Sequence, residues 1–291
     1  MIHEIGNGLL CVRASERGAE LQSIRTADGT EYLWQGDAKY WSDRSPTIFP
    51  YVARLTEGSY TFGGRRYALP IHGFAPQAAF AAEPAASDTL RFTLCDSEAT
   101  RAAYPFRFRF TVEYRLEGPS LIIGYAVEKR GDGPMYFGAG GHPGFSVPLD
   151  PGVPFESYRL RFDAPCRPQR VGFSPDCFVT GETAPYALRE DRILPLRHDL
   201  FDDDAVILKD TARRLKLYSP LGKRAVTFAF PDLPVFGLWH WPRTDAPYVC
   251  LEAWSSLPSR VGVVEDLATQ PDLVRLPSGQ TWRTAVTVTF E

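Results

Sequence analysis

Five histidines are spread along the chain, at His3, His72, His142, His198 and His240, and two of them sit among residues small enough to permit close approach. His72 lies in Pro70-Ile71-His72-Gly73-Phe74-Ala75, and His142 in Gly138-Ala139-Gly140-Gly141-His142-Pro143-Gly144-Phe145. Glycine next to an imidazole leaves room for a ligand, and imidazole changes its charge near neutral pH. A histidine bonded to a turn backbone would give one such motif; two similar settings favour a ligand. A third group is Glu252, in Tyr248-Val249-Cys250-Leu251-Glu252-Ala253-Trp254, where a single acid interrupts an otherwise apolar run. Burial raises a carboxyl's pKa toward the range of a general base, which makes Glu252 the best base candidate in the chain. An ion pair with an arginine is the alternative. Arg54, after Phe49-Pro50-Tyr51-Val52-Ala53, is a lone cation in an apolar stretch, either a ligand clamp or the partner of a core acid. Asp202, Asp203 and Asp204 read by spacing as a solvated loop. Trp239, Trp241 and Trp254, with Phe74 and Phe145, offer aromatic faces that suit the C–H face of a sugar, although core packing explains any one of them as well.

Other chemistries fall away. The glycine cluster before His142 ends in His-Pro-Gly and opens no helix, so it is not a dinucleotide fingerprint. The histidines are too far apart in sequence for a helical or hairpin metal pair, so no metal is expected. No Gly-x-Ser-x-Gly elbow announces a serine nucleophile. Cys11, Cys95, Cys166, Cys177 and Cys250 are odd in number and form no Cys-x-x-Cys pair, so inert free thiols are expected. With 32 Lys+Arg against 35 Asp+Glu the net charge is -3, and no field of one sign would recruit nucleic acid or an acidic membrane surface. Apolar runs fall short of the ~20 residues that cross a bilayer, and the N-terminus lacks the pattern of an export signal, so a cytoplasmic protein is expected.

These groups need elements to position them, and the pattern calls for strands. Phe106, Phe108, Phe110, Val112 and Tyr114 alternate with polar residues, and after Glu117-Gly118-Pro119-Ser120 the alternation resumes at Leu121, Ile123, Tyr125 and Val127, which predicts a hairpin. A second hairpin turns at Gly63-Gly64, between Tyr60/Phe62 and Arg65/Arg66/Tyr67. Leu90/Phe92/Leu94, Leu160/Phe162, Leu215/Leu217, Val226/Phe228/Phe230 and Trp282 to Phe290 extend the pattern to the end of the chain. Only Ser97 to Ala103 suggests a turn or two of helix, stopped by Pro105. With 24 glycines and 25 prolines spread throughout, the reading is an all-β fold with little helix, residues 1–291 forming a single large antiparallel β-sandwich domain.

The motifs also occur in a known order. Phe49-Pro50 to Arg54, Ile71-His72-Gly73-Phe74-Ala75, Gly141-His142-Pro143-Gly144-Phe145, Phe201 to Leu208 and Leu251-Glu252-Ala253-Trp254 resemble the aldose 1-epimerase (galactose mutarotase) family, in its shorter LacX-like branch, over nearly the whole chain. The resemblance implies a galactose mutarotase-like β-supersandwich that exchanges α and β anomers of a small-molecule sugar without a cofactor. It implies that Glu252 takes the proton of the anomeric hydroxyl, that His142 protonates the ring oxygen, and that His72 stabilises developing charge. Arg54 and Asp204 match the family's sugar contacts, and Phe74 and Trp254 complete the substrate-binding set. Two departures stand out: Ala53-Arg54 where Gly-Arg is usual, and Ala253 where proline often follows the glutamate. Two alternatives stay open. One is a hexose 6-phosphate 1-epimerase, with Arg65 and Arg66 or other basic residues facing the pocket; the other is a non-catalytic carbohydrate-binding or sensing protein.

Overall fold

Residue alternation builds two large antiparallel sheets. The computed structural model describes residues 1–291, apart from the side chains at 84 and 85. In the Arg107–Glu117 strand Phe108, Phe110, Val112, Tyr114 and Leu116 are buried while the residues between them meet solvent. Ser120–Arg130 repeats the pattern and pairs with it from Ser120↔Glu117 to Arg130↔Arg107, the predicted hairpin. On its other side Ser120–Arg130 pairs with Thr281–Phe290. These strands form the middle of a nine-stranded sheet whose edges are Ile193–Pro195 and Ala81–Ala86. The Gly63-Gly64 hairpin forms as well, with both glycines at positive φ. The predicted helical turns are Glu98–Ala103, the one α-helix among the described residues, capped at Ser97. No helix is long and apolar enough to cross a membrane, and all five cysteines are free.

The second sheet has eight strands, with Tyr248–Trp254 near its centre. Every residue of that strand is buried. One face carries Val249, Leu251 and Ala253, which join Phe236, Leu238, Phe110 and Val112 in the core shared by both sheets. The opposite face carries Tyr248 and Cys250, packed with Trp34, and Trp254, packed with Ile48 and Val52. A strand in the middle of a sheet with one face to a core and one to a loop layer has no solvated side, which is why period-2 alternation is absent from it. The site lies on that second, loop-covered face.

The aromatic core clamps the segment that carries Arg54. Phe49 is fully buried, stacks on Phe110 with ring centroids 4.5 Å apart, and lies edge-on to Phe74 and Phe108. Phe110→Ala would empty a dry, close-packed position, and we expect a loss of about 3 to 5 kcal/mol in the free energy of unfolding by urea; a loss below ~1 kcal/mol would contradict this packing.

Candidate active site

Backbone register brings Glu252 and His142 together. Gly140–Gly141 pairs with Trp254 and Ala253, and Gly144–Ser146 pairs with Cys250, Val249 and Tyr248. The register is the same on both sides of His142-Pro143, so His142 falls directly across from Glu252, and directly opposed residues of an antiparallel pair share one face. His142 Nε2 lies 3.3 Å from Glu252 Oε2. The row continues across the sheet through Gly237, paired with Glu252, and Ile207, paired with Gly237. Glycine at 141 is forced by packing, since a Cβ there would lie 2.4 Å from Tyr125 Oη.

A cavity of about 300 Å³ opens above this row, and Glu252, His142, His72, Arg54, Asp204 and Trp254 all line it. These sequence candidates are therefore brought together. Arg54 and His72 arrive as one unit. The His72 N–H donates to the Ala53 carbonyl at 2.9 Å, and the Ala53 N–H donates to His72 Nδ1 at 3.3 Å, which leaves Nε2 as the protonated nitrogen of the neutral ring. Ala53 adopts φ +51, the left-handed region that explains why glycine is usual there. Gly73 turns the chain at φ +75, where a Cβ would meet the Phe49 carbonyl oxygen at 2.3 Å. That turn corrects one sequence reading: Phe74 is sent inward, against Phe49, Tyr104 and Phe108, and does not line the cavity. Phe145 is likewise core, edge-on to Phe228. Arg65 and Arg66 lie on a separate hairpin, where Arg66 bonds Glu57 and Ser59, and neither faces the cavity.

Asp204 is not a solvated loop residue. Trp239 Nε1–H donates to its Oδ1 at 2.7 Å and the Cys177 thiol donates to its Oδ2 at 2.9 Å. Burial and the Asp204 carboxylate push the Cys177 thiol up to about 11, so it remains a donor. Asp203 lines the cavity beside it. Cys177, Phe173, Trp41 and Asp43 are wall residues that the sequence reading missed. Trp41 lies 5.0 Å from the His142 ring and 5.4 Å from that of Trp239, centroid to centroid. A large aromatic amid Gly36, Asp37, Ser42 and Asp43, with no periodic partner, was the one available sign of it.

Enclosure controls the charges. Burial holds the Glu252 carboxyl well above its usual range, and the Asp204 carboxylate adds to this. Burial holds His142 well below the ordinary imidazole value, helped by His72. His72 is lowered to about 4 by burial and then by Arg54. Among the described residues no arginine forms an ion pair with Glu252, and its Oε2, His142 Nδ1 and Trp254 Nε1 are buried without hydrogen-bond partners. Leaving such atoms unpaired costs about 1 to 3 kcal/mol each, a cost a polar ligand can relieve. His142, Cys250 and Glu252 also offer ligand atoms within 4.8 Å of one another, a cluster invisible in sequence spacing. Burial and Glu252 hold the Cys250 thiol well above its usual range, which opposes its ionisation as a metal ligand.

The two-sheet frame, with its cavity on the loop-covered face of the second sheet, is that of a galactose mutarotase-like β-supersandwich. A sequence model of the aldose 1-epimerase family matches residues 1–288, and the chain belongs to that family. It is 28% identical over 287 residues to the chromosomal LacX protein of Lactococcus lactis subsp. lactis, covering 95% of each chain. Among solved structures it resembles a galactose mutarotase related enzyme from Lactobacillus acidophilus, with TM-score 0.94 and 32% identity over 100% of this chain and 97% of that one. A galactose mutarotase-like protein from Lactobacillus casei superposes with TM-score 0.93 and 30% identity, and each chain is covered fully.

The depressed histidines set a pH dependence of stability. His240, fully buried against Phe155, Phe201 and His198, is also lowered to about 4, mainly by burial. Between pH 4 and the ordinary value of 6.5, the unfolded chain binds protons at His72 and His240 that the folded chain refuses, so stability rises with pH across that window. Glu252 acts oppositely above 4.5, because the unfolded carboxyl ionises first, but it is one group against at least two. We expect the thermal midpoint to fall on acidification from pH 6.5 to 4.5, and to fall further in Glu252→Gln; a midpoint unchanged or higher at pH 4.5 would contradict the burial of these rings.

Proposed function

We propose that the chain is an aldose 1-epimerase (mutarotase) that exchanges the α and β anomers of an aldohexose by acid/base ring opening and closure, with residues 1–291 acting as one domain. The observation that carries this reading is the opposed pair His142 and Glu252, 3.3 Å apart and buried at a cavity of about 300 Å³, the small end of the range for small-molecule sites. Two groups suffice for the chemistry. Ring opening requires the anomeric hydroxyl to lose a proton and the ring oxygen to gain one. Glu252 as carboxylate takes the first and His142 as imidazolium gives the second, leaving both uncharged and the sugar as the free aldehyde. Rotation about the C1–C2 bond followed by the reverse transfers closes the other anomer and restores the pair.

Burial has a specific effect on this cycle. It favours the uncharged pair, so the Glu252 carboxylate and His142 imidazolium of the closed-ring stage form at a cost that their 3.3 Å contact and the hydroxyls of the bound sugar offset, and transfer of both protons on ring opening relieves it. His72, neutral and protonated on Nε2, stabilises the developing charge as a fixed donor. Arg54 and Asp204 hold ring hydroxyls as donor and acceptor, and Trp254 supplies an apolar wall. A 6-phosphate substrate finds no support at Arg65 and Arg66, and Asp203 and Asp204 in the same cavity oppose a dianion. A binding protein without turnover would keep the walls, yet would not need a paired acid and base at the floor.

The test is NMR exchange between the anomeric C1 protons of glucose, galactose and xylose, with wild-type protein and Glu252→Gln. Wild type should accelerate exchange, and Glu252→Gln should lower the rate by about 10²- to 10⁴-fold while still binding sugar. Saturable binding without acceleration by the folded wild type would replace the enzyme reading with a binding role.

A further inference from the structure

The cavity is not closed at its far wall. It shares Arg54, Cys177, Asp204 and Trp241 with a groove of about 840 Å³, nearly three times its own volume. The groove runs between the hairpin of Gln169–Phe173 and Val179–Pro185 on one side and Trp241-Pro242-Arg243 on the other. The Val179–Pro185 strand is exposed beyond Val179, and its Glu182, Thr183 and Ala184 line the groove.

Its lining has the character of a carbohydrate site. Trp241 is 45% exposed, an indole face open to solvent, braced edge-on by Trp239 at 6.1 Å. An amphipathic ring kept half in water suits the mixed surface of a pyranose. Around it stand both signs of charge, Arg54, Arg170 and Arg243 against Glu182 and Asp202 to Asp204, a near balance that leaves no net attraction for a phosphate but supplies donors and acceptors for neutral hydroxyls. A cavity of about 300 Å³ has room for a single sugar ring, and the groove continues beyond it.

We infer that the groove seats a second sugar residue, so that the substrates of this chain are reducing disaccharides or longer oligosaccharides whose reducing-end ring occupies the cavity. This rests on the mutarotase reading of the cavity. With C1 against Glu252, the C4 hydroxyl is the one across the ring, and a glycosyl group on it points away from the cavity floor, to the wall that the cavity shares with the groove. The ring that undergoes opening is then held by the cavity alone, and the groove adds binding without entering the chemistry.

Anomeric exchange of glucose, maltose and cellobiose is measured by NMR with wild type, Arg243→Gly and Glu182→Ala. Arg243 has φ +56, so glycine removes the side chain without straining the backbone. We expect kcat/KM for one or both disaccharides to exceed that for glucose by about tenfold, and the two variants to raise KM for the disaccharide several-fold while glucose exchange is unchanged. Equal kcat/KM for all three sugars, or variants that alter glucose and disaccharide alike, would overturn the inference. Tryptophan fluorescence titration with the same sugars separates it from the underlying reading: if no sugar is exchanged faster than in buffer, the enzyme reading fails, and the groove stands only if a disaccharide binds more tightly than glucose and loses that advantage in Arg243→Gly.

Discussion

Everything chemical in this molecule depends on one strand register. Tyr248–Trp254 holds a two-residue strand and a three-residue strand against the same edge, with His142-Pro143 between them. Proline has no N–H to give the ladder, but the Leu251 N–H donates to the Pro143 carbonyl at 3.1 Å, and with the pairs on either side this presents the side chains of His142 and Glu252 on a common face. A slip by one residue would turn Glu252 into the aromatic core and Leu251 toward the cavity. The shared core prevents this, because Val249, Leu251 and Ala253 are all committed to it.

That placement also explains the electrostatics. Glu252 and His142 sit on a sheet face that loops, rather than water, cover, so neither meets solvent enough to hold its charge alone. Arg54 and Asp204 come from the loops around the mouth. Asp204 is pinned through both oxygens by Trp239 and Cys177, and Arg54 follows a backbone segment clipped to His72. Glu252 therefore stands on a strand in the middle of the sheet, His142 between two strands paired with it, and Arg54, His72 and Asp204 on the turns and loops around them.

Much of this was readable from the residues. Strands with one wet face, such as Arg107–Glu117 and Ser120–Arg130, show themselves by alternation, and Ser97 marks the start of its short helix. Glu252 was legible for the opposite reason, as an acid where a doubly buried strand has none to spare. Other features were hidden by the distance between partners in the chain. Nothing in the spacing could place His142 across from Glu252, or bring Cys250 beside both. Phe74 offers an aromatic face suited to a sugar, but the Gly73 turn sends it into the core against Phe49 and Phe108. Trp41, Phe173 and Cys177 belong to loops and edges whose positions follow from tertiary packing alone, and Cys177, read as an inert thiol, is the donor that orients Asp204. Asp202 to Asp204 look like any charged loop until Trp239 is set against them.

The long separation of the paired strands also has a consequence for how the molecule comes into being. His142 and Glu252 are about 110 residues apart, and the row they belong to gathers Ile207 and Gly237 from the intervening chain. Closing such loops costs entropy before any contact rewards it, and topologies dominated by distant pairings fold slowly. The hairpin of Arg107–Glu117 and Ser120–Arg130 can form from neighbours in sequence, whereas the cavity floor needs nearly the whole polypeptide in place. A nascent or partly folded chain therefore has strands and a growing core well before it has the cavity, and the assembled cavity marks the completion of folding rather than its onset.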